Sequence, residues 1–477
     1  MDVENKILKN AFYYTLSSII VMIVSFLSLT IFTYILKTEE YGIVNFFTST
    51  VNILTIILSL SFTTASSRFY YDKGINYKSF VKTTITFILI YNAISFVIIF
   101  LLRNYISSYL NISNILLILI LIGTFLNIFI EYYSGYLTAT QNAKRYLMVK
   151  NLPLILNTIF TIILVLMFKD TDGAYIRILC ILFFNLVLVA FLFFKYKKVF
   201  SEKFDRVILK NVLLYSVPIV VHLLSNYLLT YFDKLTINQY IGTSSMGIYA
   251  FATKIAEILL LFINAINLSW APVFYSNEGN YDKVKSLLKK YFQIILFAFL
   301  GITFFAENFA KLIISSEYYE ALSIVPLLAF GYMFVFLYQI YINYSLYKKK
   351  TINITINTIL SAVLNIVLNI IFVPKYGYIA AAVSTVISYI FLFGLHYFNS
   401  KVILKGKVFE IKNFKFEFLT ITLGVIIYLI TKYCIKIEFI CILIRILFLV
   451  LIIIRYNIID TVLKIIFKGG KKNEKGI

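Results

Sequence analysis

The sequence predicts an all-α polytopic membrane protein of about fourteen transmembrane helices. Three observations predict it: a surplus of apolar residues, apolar runs of spanning length, and basic residues that alternate between the gaps. Hydrophobic residues make up 61% of the 477 and charged residues only 14%. Soluble domains carry about 25% charged residues, and surface-to-volume scaling leaves no way to hide this much apolar area in water. The formal net charge of +22 first suggests nucleic acid. The basic residues, however, sit between apolar runs and no nucleic-acid-binding signature is present, so no nucleic-acid partner is expected.

Fourteen stretches reach or approach the roughly 20 apolar residues that a span needs. The first six are Phe12–Leu36, Ile43–Ser67, Phe80–Leu102, Ile115–Thr138, Tyr146–Phe168 and Ala174–Phe194. Val207–Phe232, Met246–Ala271, Tyr291–Ile314, Leu322–Tyr347, Ile352–Val373 and Tyr378–Asn399 follow. Phe416–Thr431, the shortest, and Phe439–Ile459 close the chain. The first run exceeds a signal-peptide core of roughly 7–15 residues, so it is expected to be a retained helix. With the N-terminus placed in the cytoplasm, about 32 Lys and Arg fall on the inner side and 9 on the outer. Both termini are therefore expected to be cytoplasmic. The outer connections, among them Lys37–Gly42, Lys169–Gly173 and Ile241–Ser245, are too short for a folded domain.

An internal repeat runs through the chain at a spacing of about 205 residues. LKNAFYYTLSS from Leu8 resembles LKNVLLYSVPI from Leu209, and EEYGIVNFFTS pairs Gly42 with Gly247 in SSMGIYAFATK. FYYDKGINYK from Phe69 matches FYSNEGNYDK from Phe274, and Gly173 parallels Gly377. An even number of helices separates the halves, so they are parallel repeats, with substrate expected at their interface. The expected organisation is a six-helix lobe over 1–206, a second over 207–400, and 401–477 as a cytoplasmic loop, two closing helices and a basic tail.

Ionisable residues inside spans are expensive and face a cavity or a partner. Glu131, Lys254 and Glu257 are the candidates best placed by sequence for burial; Lys254 and Glu257 share a helix face and could pair with each other. Lys254 could instead meet an anionic substrate, and Glu131 could carry a coupling proton or cation or bond to Tyr132 or Tyr133. Arg68, Asp233 and Lys234 stand at span ends, where snorkelling is the bland alternative. His222, near Pro218, is a packing residue or a proton relay. Pro218, Pro272 and Pro326 are places where a span could break. No P-loop, HExxH or nucleophile elbow occurs, and Cys180, Cys434 and Cys441 lack metal spacing, so no metal, cofactor or catalytic centre is expected. Asp170-Thr171-Asp172 reads as an ordinary turn.

Three stretches together resemble the polysaccharide transporters, the oligosaccharide (O-antigen-type) flippases of the multidrug/oligosaccharidyl-lipid/polysaccharide exporter superfamily. They are YILKTEEYGIVNFF from Tyr34, YFDKLTINQYIGTSSMGIYAFATKIAE from Tyr231, and LNIVLNIIFVPKYGYIAAAVSTVISY over Leu364–Tyr389. The likeness covers nearly the whole chain. It implies a flippase of the cytoplasmic membrane, moving a polyprenyl-diphosphate-linked oligosaccharide to the outer leaflet for capsule, lipopolysaccharide or a similar polymer. It further implies membrane lipids and polysaccharide-assembly enzymes as partners. By the same resemblance Arg68, Lys254, Asp233 and Lys234 would line the substrate path, with His222 a further cavity candidate from its place in the span, and helices thirteen and fourteen would form a groove for the lipid tail. An ion-coupled multidrug exporter of the superfamily is the alternative. A membrane-embedded polymerase or ligase would need a sizeable outer loop, which the chain lacks.

Overall fold

A computed structural model describes residues 2–70, 75–168, 171–196, 202–276, 281–348, 350–404, 411–435 and 437–459. Among them there are sixteen α-helices and no strand. The helices are α1 (Asp2–Ile35), α2 (Thr38–Leu58), α3 (Phe62–Phe69), α4 (Tyr77–Leu101), α5 (Arg103–Leu110), α6 (Asn114–Ala139), α7 (Ala143–Met167) and α8 (Gly173–Tyr196). After these come α9 (Arg206–Tyr240), α10 (Thr243–Ala256), α11 (Ile258–Ser276), α12 (Tyr281–Ile313), α13 (Val325–Tyr347), α14 (Thr351–Phe398), α15 (Lys415–Tyr433) and α16 (Glu438–Tyr456).

Among the described residues thirteen stretches are long and apolar enough to cross a membrane. One of them, Ile352–Ile403, runs for 52 residues, more than twice the roughly 20 that one crossing takes. Its helix is interrupted at Gly377, where φ is 67° and ψ −157°, a conformation that glycine adopts without steric cost. That stretch holds two passes, which gives the expected fourteen. The short thirteenth span is present as α15.

Two features depart from the expected spans. The second span is broken: α2 ends at Leu58 and α3 begins at Phe62, with Leu60 and Ser61 at positive φ. None of the three prolines breaks its helix. Pro218 lies within α9, Pro272 within α11, and Pro326 in the first turn of α13, where no N–H is missed. The interruptions instead fall at Ser59–Ser61, Glu257 and Gly377. Part of the repeat, including Gly74 and Gly279, lies outside the described residues.

The chain packs as two compact units. Unit one comprises Met1–Ala250, Ile314–Tyr318 and Ile366–Ala381, and unit two Phe251–Ile313, Tyr319–Asn365 and Ala382–Ile477. In unit one α7 packs on α1 and α8, and α6 on α2 and α3. Phe62, Phe80, Ile88, Ile128 and Tyr132 form a core there.

In unit two α12 is the hub, packed against α11, α13, α15 and α16. Near one end of α12, Gln293 donates to the buried Glu417 of α15 at 2.8 Å, with Lys289 3.6 Å from the same carboxylate. Roughly three to four turns on, the buried Arg445 of α16 donates to Thr431 Oγ1 (2.9 Å) and to the Phe304 carbonyl (2.8 Å), and Lys432 lies 3.3 Å from Glu307. The closing pair of helices is thus fastened to α12 by polar contacts at two levels, and Glu417 and Arg445 themselves are buried. Arg445→Ala should cost about 1.5–3 kcal/mol for each charge-assisted bond lost. The check is a lowered thermal midpoint of detergent-solubilised protein, which Arg445→Lys should not fully restore because a lysine lacks the guanidinium fork.

Candidate functional site

The junctions α1/α2, α7/α8, α9/α10 and α12/α13 meet at one end of unit one. A Cβ built on Gly42 would lie 2.0 Å from the Thr243 carbonyl oxygen, and one on Gly247 2.0 Å from that of Thr38. These four residues are repeat partners, Gly42 with Gly247 and Thr38 with Thr243, so the contact is reciprocal about the repeat axis. The starts of α2 and α10 approach so closely only because both positions lack a side chain. Thr38 Oγ1 and Ser244 Oγ share a hydrogen bond of 2.8 Å across the same contact.

Further bonds hold this end together. Glu40 accepts from the Lys37 amide (2.8 Å) and from the Gly173 amide (2.6 Å), joining the start of α8 to that of α2. Tyr318, between α12 and α13, donates to the carbonyls of Leu36 and Lys37. Burial pushes its phenol above the ordinary tyrosine range, so the hydroxyl keeps the proton it donates. The Arg177 guanidinium lies 3.8 Å from the centre of the Phe32 ring, a cation–π contact made strong by desolvation. Asp172 Oδ1 caps α8 through the Ala174 amide at 2.9 Å; Asp170 lies outside the described residues.

The structure places the remaining candidates as follows. Asp233 and Lys234, on α9, are 1% and 2% exposed, so neither is a snorkelling residue. Tyr249 of α10 donates a short hydrogen bond to Asp233 Oδ2, and Lys234 sits 4.8 Å from the Tyr231 ring centre. Glu131, on α6, pairs with Lys150 of α7 at 2.5 Å, not with its tyrosine neighbours. Tyr132 instead meets Thr84 of α4 at 2.7 Å.

In unit two Lys254 and Glu257 do pair, at 2.7 Å. Glu257 occupies the single-residue interruption between α10 and α11. Its amide still bonds to the Thr253 carbonyl, and its own carbonyl accepts from Leu260. Both ion pairs keep part of their side-chain surface open: 40% for Lys254 and 38% for Glu131. Arg68 lies on α3 and His222 on α9, but the side chains of both are outside the described residues.

Unit two also holds a buried polar seam that hydropathy did not single out. Asn353 donates to Asn399 (2.8 Å), Asn399 to Ser345 Oγ (3.2 Å) and Ser400 to the Tyr341 carbonyl (3.1 Å). Asn357 and His396 face each other at 3.3 Å. Asn353, Asn357 and Ser361 recur at every fourth residue, a helical-face signal that was available in the sequence.

Fourteen apolar passes, two repeats that meet on reciprocal glycines and ion pairs within the spans together make a polytopic, all-helical membrane protein built on an internal repeat. The lipid II flippase MurJ, in an inward closed conformation, shares the fold with a TM-score of 0.70 at 18% identity, over 94% of this chain and 98% of that one. An inward-facing multidrug resistance MATE family transporter of the MOP superfamily shares it with a TM-score of 0.59 at 18% identity, over 81% and 96%. The family model described as polysaccharide biosynthesis protein matches residues 7–278, more than half of the sequence, and the chain belongs to that family. The MatE model matches residues 218–371. An Lsg-locus protein of Haemophilus influenzae is 25% identical over 301 residues, 62% of this chain and 72% of that protein. A second membrane protein of the same organism is 24% identical over 275 residues, 56% of this chain and 65% of its own length.

The reciprocal glycine contact makes a direct prediction. In a background lacking Cys180, Cys434 and Cys441, the pair Thr38→Cys/Ser244→Cys should form a disulfide on mild oxidation. Adding Gly42→Ala should sharply lower the yield, because the new methyl displaces the Thr243 carbonyl.

Proposed function

We propose that this chain is a flippase of the cytoplasmic membrane that moves a polyprenyl-diphosphate-linked oligosaccharide to the outer leaflet by alternating access. The observation that carries the proposal is membership of the polysaccharide biosynthesis family over residues 7–278. The extent of the fold supports it. The likeness to the lipid II flippase takes in 94% of the chain, against 81% for the multidrug transporter, and α15 and α16 are firmly fastened to α12. The physical task is to carry a diphosphate and sugars past hydrocarbon that cannot solvate them, with the polyprenyl tail left in lipid.

On this proposal the expected six-helix lobes, 1–206 and 207–400, are the moving parts, and the reciprocal glycine contact of unit one is one closed end of the cycle. Lys254 offers positive charge to the diphosphate, exchanging Glu257 for a phosphate oxygen. Asp233 and Lys234, with Arg68 and His222, line a polar path in unit one, and Glu131 or Glu257 takes part in coupling to a cation or proton. Membrane lipids and polysaccharide-assembly enzymes are its partners. A cation-coupled multidrug exporter is the second reading, favoured by the MatE match over 218–371.

Purified protein in liposomes should move a fluorescent polyprenyl-diphosphate sugar between leaflets, while a cationic dye in parallel should stay put. Dye movement without sugar-lipid movement would establish the exporter instead. Lys254→Ala should slow sugar-lipid movement about ten- to hundredfold, the worth of one charge-assisted bond, with normal membrane insertion; full activity would remove Lys254 from the path. Single cysteines at Lys37 and Lys348 should label from opposite membrane faces, with Lys348 on the cytoplasmic side.

A further inference from the structure

The second span breaks deep within the apolar slab. Asn92 of α4 reaches the break, and it stands 15 residues from Tyr77 and 9 from Leu101, roughly 22 and 14 Å along the helix at about 1.5 Å per residue. Irregular backbone at that depth is tolerated only where protein or a cavity encloses it. Here protein encloses it: Leu58, Ser59, Ser61 and Phe62 are all buried.

Two adjacent non-glycine residues, Leu60 (φ 49°) and Ser61 (φ 53°), take the left-handed conformation. Each costs on the order of 1 kcal/mol or more, so the break is maintained against local preference. Its oxygens are unusually arranged. Ser61 is the N-cap residue of α3, yet its hydroxyl makes no capping bond, unlike the usual serine at that position. Ser61 Oγ has no hydrogen-bond partner although the residue is 4% exposed.

Asn92 is 1% exposed, and its amide nitrogen donates to the carbonyls of Leu58 (3.0 Å) and Ile88 (2.8 Å). Only the NH₂ can make those two bonds, so the orientation of the amide is settled. Asn92 Oδ1 is left without a partner. Ser59 Oγ accepts from the Ser61 amide at 3.2 Å and keeps a second lone pair.

We propose that this break is a binding site for an alkali cation, with Ser61 Oγ and Asn92 Oδ1 as side-chain ligands and helix-end carbonyls completing the shell. An all-oxygen set fits a hard cation. With no carboxylate among these oxygens, a single charge suits the site better than a double one. Unwound carbonyls and half-helix C-termini hold sodium in this manner where transporter helices are discontinuous. The role as a coupling site rests on the proposed transport function; the existence of the site does not.

The test is the thermal midpoint of the purified full chain in detergent, titrated with sodium chloride against choline chloride at constant ionic strength. The midpoint should rise saturably with sodium. Ser61→Gly removes the hydroxyl while suiting φ 53° better than serine does. This variant should fold at least as well and bind sodium about tenfold more weakly, the equivalent of about 1.4 kcal/mol.

Equal midpoints in sodium and choline, or an unchanged sodium response in Ser61→Gly, would show that a buried water fills the break and would overturn the proposal. Sodium stabilisation lost in Ser61→Gly, in protein that moves no sugar-lipid, would keep the site and remove the flippase function.

Discussion

A backbone carbonyl or amide in hydrocarbon has no water to bond with, and leaving one unpaired costs several kcal/mol. That constraint decides most of this structure. It forces the apolar runs into helices, and it governs where the helices can be interrupted. At Ser59–Ser61 the Asn92 amide takes the carbonyl of Leu58, the Phe62 amide takes that of Ser59, and the Ser59 hydroxyl takes the Ser61 amide. At Glu257 the residue's own amide still bonds to the Thr253 carbonyl and its carbonyl accepts from Leu260. The interruptions redistribute hydrogen bonds and do not abandon them. The break at Ser59–Ser61 is also enclosed by protein, while Gly377 lies beside the exposed Tyr376.

The repeat adds a second constraint. Two parallel copies meeting on their symmetry axis must present the same residues to each other, so a contact from one copy is answered by its mirror in the other. The approach of Gly42 to Thr243 and of Gly247 to Thr38 is such an answered contact. A side chain at either position would hit a backbone carbonyl, which cannot rotate away as a side chain could. The same end also collects Glu40, Tyr318 and Arg177, which tie the starts of α2 and α8 and the link from α12 to α13 into one place. Closure there is built from backbone packing with polar bonds around it.

The spans were legible in the sequence because hydropathy and helix length are local, and because the alternation of basic residues checks their number. The break after Leu58 was not, since NILTIILSLSFTTASS is apolar without a gap and no glycine or proline marks it. The prolines misled for the converse reason: helix ends and tertiary packing accommodate them. Burial of charge was the least readable feature. Glu131 and Lys254 sit near the middle of apolar runs, yet both keep open surface. Asp233, at the end of a run, is enclosed. Arg445 finds its carbonyl 141 residues away, and Glu417 its amide partner 124 away. Such partners are set by which helices become neighbours, and a window along the chain contains no trace of that.

The distinction between enclosed and open charges bears on what each can do. Glu417 is held by the neutral Gln293 and by Lys289, and Arg445 by the neutral oxygens of Thr431 and Phe304, and both charged groups are themselves buried. Pulling one partner away from such a group costs about 3–5 kcal/mol, too much to repeat in every cycle unless something else supplies it. An ion pair with open surface differs in this respect. When Lys254 leaves Glu257 for another anion, both charges stay partly solvated, and the exchange is close to neutral. On the proposed flippase function, charges that must exchange partners with a substrate are therefore better sought at Lys254–Glu257 and Lys150–Glu131, and charges that hold helices in register at Glu417 and Arg445. Asp233, bound by Tyr249 within unit one, falls on the side of fixed structure by burial and on the side of the transport path by its place in the family stretch. The Tyr249 hydroxyl separates the two: removing it by Tyr249→Phe leaves packing intact and changes only the charge's surroundings.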